Sequence, residues 1–156
     1  MKYASGIEEE KAIGWMKEAS VVAEQALCLN AKCGTIIVKN GEIIGIGYNA
    51  PPQDDMNNAL CLDKRSERGK HDRTCCMHAE WRAILDATKR NQEKLKDSQL
   101  FFTRVTDNGE IIKSGEPYCT VCSRLALDVG IKEFVLWQES GICIYDTVEY
   151  NKLSFR

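Results

Sequence analysis

Two short motifs constrain this chain more than any other feature: His78-Ala79-Glu80, inside CCMHAEW, and Cys119-Thr120-Val121-Cys122, inside PYCTVC. Each sits where an apolar helical pattern begins. Trp81, Ile84, Leu85 and Thr88 recur at helical spacing within 78–90, and a second helix is predicted over 119–129, ended by Gly130. Helix N-termini favour negative charge, which suits two thiolates three residues apart. One histidine and two thiolates make three zinc ligands, the number a catalytic site uses when it leaves its fourth position to water. If one ion joins both motifs, two helix starts must meet at one edge of a sheet, where open α/β folds place ligands. Glu80 would then carry protons for a water that zinc makes acidic, with a pKa of ~7.

The rest of the chain supplies that sheet. Residues 7–28 read as a helix whose apolar face includes Ile7, Ala12, Met16, Ala19, Val22, Ala23 and Leu27. Residues 33–49 read as a hairpin turning at Asn40-Gly41, a pair that tolerates the positive φ of a tight turn. Residues 50–76 form a long polar loop opening on Pro51-Pro52, and loops of that length are usually functional or metal-tied. A third strand is predicted over 98–105, a short hairpin or flap turning at Asn108-Gly109, a fourth strand over 131–137 and a fifth near 141–145. Strands alternating with helices after a hairpin predict a layered α/β domain with a mixed sheet, and the length predicts a single domain over 1–156.

Composition bears mainly on the cysteines. No apolar run is long enough to span a bilayer, and the polar start MKYASGIEEEK lacks a signal-peptide core, so a cytoplasmic location with reduced thiols is expected. The eight cysteines are therefore not read as a disulfide framework. Cys28, Cys33 and Cys143 lie in apolar surroundings and read as small buried hydrophobes. A net charge of −2 gives no electrostatic case for a nucleic-acid or membrane partner. A Cys-x-x-Cys alone would also suit a redox protein or half a zinc ribbon. The redox reading leaves His78 and Glu80 unexplained, and the ribbon lacks a second Cys-x-x-Cys. A non-catalytic zinc-stabilised nucleotide-binding module is a further alternative, against which the intact Glu80 argues.

His-x-Glu followed by Pro-Cys-x-x-Cys is the signature of zinc deaminases. Beyond it, ALCLNAKCGTIIVKNGEIIGIGYNAPP, CLDKRSERGKHDRTCCMHAEWRAI and DVGIKEFVLW resemble deoxycytidylate (dCMP) deaminases of the cytidine deaminase superfamily, over roughly residues 7–138. That resemblance implies a three-layer α/β/α fold with a five-stranded mixed sheet and a zinc hydrolase acting on a cytosine nucleotide. The leading expectation is dCMP to dUMP plus ammonia; the alternatives are cytidine or deoxycytidine, guanine, a modified pyrimidine or a tRNA base. It implies that His78, Cys119 and Cys122 bind zinc and that Glu80 moves protons. It also implies that Asn49 contacts the sugar, that the Ala79 backbone meets the pyrimidine edge, and that the protein is a homo-oligomer. A phosphate would need nearby cations, for which Arg104 and Lys113 are best placed and Lys32 is a further candidate. Some dCMP deaminases hold a second, structural zinc in the corresponding loop, where this chain offers Cys61, His71, Cys75 and Cys76. The chain departs from the pattern at Tyr118, which separates Pro117 from Cys119, and in extra length around TDNGEIIKSG.

Overall fold

The computed structural model describes residues 1–59, 74–113 and 115–155. Strand β1 (Lys2–Tyr3) leads into helix α1 (Gly6–Ala23), followed by the hairpin β2 (Lys32–Lys39) and β3 (Glu42–Tyr48). After the loop come α2 (Ala79–Arg90), β4 (Gln99–Val105), β5 (Ile111–Ile112) and α3 (Thr120–Asp128). The chain closes with the hairpin β6 (Glu133–Gln138) and β7 (Gly141–Asp146) and helix α4 (Thr147–Leu153). No helix among the described residues is long and apolar enough to cross a membrane.

The sheet runs β1-β7-β6-β4-β2-β3, with β5 on β4. The five longer strands match the expected five-stranded mixed sheet, in which only β4 and β6 run parallel. Two strands of two residues each raise the total to seven. Lys2 and Tyr3 extend the β7 edge, while Ile111 and Ile112 pair with β4 beyond Phe102, where β6 has left it. Both additions are too short to carry a period-2 pattern, so alternation does not announce them.

Helix α1 covers one face of the sheet, packing Met16, Ala19 and Val22 against Ile36, Phe101, Val135 and Ile144. Helices α2, α3 and α4 cover the other, around Ile84, Ala126, Leu100, Phe134 and Tyr150. Burying each large side chain contributes about 1.5–3 kcal/mol, so both faces are held chiefly by apolar area. The first helix is shorter than predicted. It stops at Ala23, because Leu27 N–H turns away to donate to the Asn49 carbonyl at 3.1 Å, and at its other end Ile7 is exposed. The hairpin turn has Asn40 at φ 52° and Gly41 at φ 76°, the two positive values a type I′ turn needs.

Where α2 crosses β3, two glycines remove the side chains that would hold it off. A Cβ on Gly47 would collide with the Ala79 carbonyl and the Ala83 amide, and one on Gly45 with the Ala83 carbonyl and Ala87. Ala79, Ala83 and Ala87 are correspondingly buried on the facing stripe of α2. Gly47→Ala should therefore cost about 3 kcal/mol in a urea unfolding series of the metal-free protein. Gly14, in the interior of α1 with open space around it, provides the contrast. Gly14→Ala should raise stability by about 0.5–1 kcal/mol. A neutral Gly47→Ala would contradict the close approach.

Candidate metal centre and cleft

His78 and Cys119 are the N-caps of α2 and α3, so the two predicted helix starts do meet. The ligand atoms of His78, Cys119 and Cys122 all lie within 4.8 Å of one another. His78 Nδ1 is 3.2 Å from Cys122 Sγ and 3.5 Å from Cys119 Sγ. A tetrahedral ion with Zn–S near 2.3 Å and Zn–N near 2.0 Å separates its nitrogen and sulfur ligands by roughly 3.5 Å. The donor set therefore fits one zinc ion, which His78, Cys119 and Cys122 would hold with three protein ligands. Among the described residues no other group of three His, Cys, Asp or Glu side chains converges in this way.

Local structure aims each ligand. Cys119 Sγ accepts the Cys122 backbone N–H at 3.3 Å, capping α3 and holding the thiolate at its first turn. His78 makes no side-chain cap, since its ring is turned to the sulfurs, and one ring face stacks on Trp81 at 4.5 Å and 11°. The segment before His78 is pinned by Ala50 and Met77, whose backbones exchange hydrogen bonds of 3.3 and 2.8 Å. Arg82 braces the same corner, donating to Asp54 Oδ1 at 2.7 Å and to the Pro51 carbonyl at 2.8 Å, while Tyr48 donates to Asp54 Oδ2 at 2.6 Å.

The electrostatics separate the acids. The hydrogen bond with Cys122, helped by His78, holds the Cys119 thiol down at about 4, whereas burial pushes the Cys122 thiol up. Burial also raises the Glu80 carboxyl above its ordinary value, and the nearby His78 only partly opposes this. Burial works against charge on His78 too, but the hydrogen bond to Cys119 and the charge of Glu80 outweigh it and raise its pKa. Glu80 is only 6% exposed, so its carboxyl is shielded from bulk water.

The cleft measures about 500 Å³, within the range of small-ligand sites. It opens beyond the C-terminal ends of the parallel pair β4 and β6, with Phe102 and Leu136 on its apolar floor. Asn49, Ala79, Arg104 and Lys113 all line it. Asn49 is largely engaged by the backbone: its Oδ1 accepts from Cys33 N–H and its Nδ2 donates to the Ala31 carbonyl, both at 2.8 Å. Lys113 Nζ lies 3.6 Å from Glu139, while Lys32 stands away from the cleft and pairs with Asp107 at 3.7 Å. Of the second-zinc residues, Cys61 and His71 lie outside the described residues, and Cys75 and Cys76 line the cleft just ahead of His78.

Two cysteines differ from their sequence reading. Cys143 is fully buried as expected, but Cys28 and Cys33 are half-buried and face the cleft. A hydrogen bond with Cys76 holds the Cys28 thiol down at about 5, and burial raises Cys33 to about 12. Phe102, Leu136 and Tyr150 also line the cleft and went unrecognised in the sequence. Phe102 carries a usable signal, because it shares the strand face of Arg104, two residues on. Tyr150 sits on a helix the sequence reading did not identify.

Residues 9–138 match the family model described as the cytidine and deoxycytidylate deaminase zinc-binding region. The chain is 30% identical to the deoxycytidylate deaminase of Schizosaccharomyces pombe over 126 residues, covering 78% of this chain and 35% of that protein. It is 29% identical to the deoxycytidylate deaminase of Mycobacterium phage D29 over 130 residues, covering 78% of this chain and 90% of that one. The chain thus spans about a third of the length of the yeast relative and most of the phage relative. The dCMP deaminase of cyanophage S-TIM5, solved in complex with dCMP and dUMP, shares the fold with a TM-score of 0.56 at 24% identity, covering 83% of this chain and 82% of that one.

A carboxyl whose native pKa is raised destabilises the fold only where the unfolded chain would be ionised. At pH 7 the metal-free Glu80→Gln protein should therefore melt at a higher temperature than the metal-free parent. The gap should close as pH falls through the ordinary carboxyl value of 4.5. Equal melting points at pH 7 would refute the desolvation argument.

Proposed function

The chain belongs to the cytidine and deoxycytidylate deaminase family, and from that premise we propose that residues 1–156 form a single zinc-dependent domain converting dCMP and water to dUMP and ammonia. The observation that carries this reading is the meeting, at one cleft, of a three-ligand zinc set and an enclosed carboxyl with a raised pKa. A structural zinc site has no use for that carboxyl. When bound, zinc supplies a nucleophilic water at neutral pH.

The chain's own groups then divide the work. Glu80 accepts a proton from the water and delivers it to N3 of the cytosine ring, which makes C4 more electrophilic. Once the water oxygen has bonded to C4, Glu80 moves the remaining proton of that oxygen to the amine, and the C4–N bond breaks to release ammonia and leave the carbonyl of dUMP. Ala79, with no side chain beyond Cβ, lets the pyrimidine edge approach the start of α2. One N–H of the Asn49 amide remains for a sugar hydroxyl after its bond to Ala31. Arg104, with no ion pair among the described residues, is positioned to read a phosphate at the cleft wall. Thiolate ligands suit the reducing cytosol. Exposed Leu85 and Val121, on the two site-bearing helices, offer apolar surface for a homo-oligomer.

A nucleoside such as deoxycytidine is the second reading. It is favoured by the Lys113–Glu139 pair and by Glu116 on the cleft wall, which offset positive charge where a phosphate would lie. Ammonia release from dCMP, deoxycytidine, CMP, cytidine and guanine by the zinc-loaded protein separates the two. Preference for dCMP is expected. A charge-assisted hydrogen bond of about 1.5–3 kcal/mol implies that Arg104→Ala raises KM for dCMP by roughly ten- to a hundredfold and leaves deoxycytidine turnover unchanged. Silence on every substrate, with zinc bound, would defeat the proposal.

A further inference from the structure

A metal-ligating histidine is usually oriented by a hydrogen bond at its second ring nitrogen, which fixes the plane of the ring. Among the described residues His78 has no such bond: both hydrogen-bond contacts of its imidazole are those of Nδ1 to Cys122 and Cys119, at 3.2 and 3.5 Å. Its place in the helix does not hold the ring either. His78 is the N-cap of α2, with extended φ −70° and ψ 149°, and its side chain makes no cap bond. The outer torsion of a histidine is broad and soft, so another contact must set the plane in which Nδ1 meets the sulfurs.

Trp81 supplies that contact. Side chains on a helix lean back towards its N-terminus, which brings residue 81 over residue 78. The two rings lie almost parallel, 11° apart with their centroids at 4.5 Å. Trp81 forgoes a hydrogen bond to lie there: its Nε1 is buried and has no partner among the described residues. A buried indole N–H usually finds an acceptor, and it costs free energy when it does not. Stacking on His78, and no bond of its own, accounts for where the indole sits. Metal binding draws electron density from the imidazole, and a ring carrying positive charge is held more strongly over an indole face.

We infer that Trp81 is a positioning residue of the zinc centre, its indole fixing the plane of the His78 imidazole so that Nδ1 faces the Cys119 and Cys122 sulfurs. The inference rests on zinc binding at His78, Cys119 and Cys122 and is independent of which substrate is used. Trp81→Leu removes the aromatic face, while Trp81→Phe keeps a smaller and weaker one. Trp15→Leu removes an indole from the opposite face of the sheet, where Trp15 lies 6.5 Å from Phe101, and serves as the control.

Zinc affinity of each variant would be measured by competition with a chromophoric chelator, and the ligand field by the visible spectrum of the cobalt(II)-loaded protein. Trp81→Leu is expected to weaken zinc about tenfold, the lower end of what losing an outer partner of a metal ligand costs, and to shift the cobalt bands. Trp81→Phe should fall between, about threefold weaker than the parent, with Trp15→Leu within about twofold. Parent-like affinity and spectrum in Trp81→Leu would overturn the inference. So would a loss in Trp81→Phe or in Trp15→Leu as large as that in Trp81→Leu. Should Trp81→Leu not fold, Trp81→Phe decides alone, and parent-like values there overturn the inference. Neither readout uses substrate, so a failure of the deaminase proposal would leave this result interpretable.

Discussion

The site depends on how closely α2 can lie on β3. Gly45 and Gly47 expose bare backbone to Ala79, Ala83 and Ala87, and the helix settles where any larger residue would push it away. His78 stands at the end of that helix, so its distance from the sulfurs of α3 is set by this contact. The Ala50–Met77 bridge and the Arg82–Asp54–Tyr48 network fix the entry to the helix. Backbone packing thus determines ligand geometry, and helix α3 brings two sulfurs to meet it.

Around that geometry the protein separates groups by environment. Cys119 is held as a thiolate by donors, while Glu80 is kept inclined to hold its proton by burial. A carboxyl so enclosed costs stability at neutral pH, and among the described residues the fold buries one only next to the ligands. The cleft floor is apolar at Phe102 and Leu136, and the charged groups Arg104, Lys113 and Glu116 lie on its walls. Such a division suits a ligand with a flat ring at one end and a polar group at the other.

Much of this was legible from residue order. His-x-Glu and Cys-x-x-Cys each preceded an amphipathic run, so the ligands could be placed at helix starts before any coordinates. Asn40-Gly41 and Gly130 announced their turns through the positive φ that each adopts. Other features depend on long-range contact and left no local trace. The early end of α1 follows from Leu27 bonding to Asn49, and the cleft-facing positions of Cys28 and Cys33 from the way that strap is drawn in. Their apolar neighbours made them look like core. Tyr150 joins the site only because α4 folds back onto α3, and no spacing within residues 141–153 signals a place for it in the cleft. Phe102 and Arg104 were an intermediate case, readable from strand alternation once one of them was suspected.

We propose that Glu80 acts as a proton carrier beside a zinc ion held by His78, Cys119 and Cys122. The most direct test is single-turnover conversion of dCMP by the parent and by Glu80→Gln, each with its zinc content measured on the same sample. The account predicts equal zinc and a rate about 10³-fold lower or more in the variant, the scale expected when a general acid–base is lost. Equal zinc with comparable rates would contradict it.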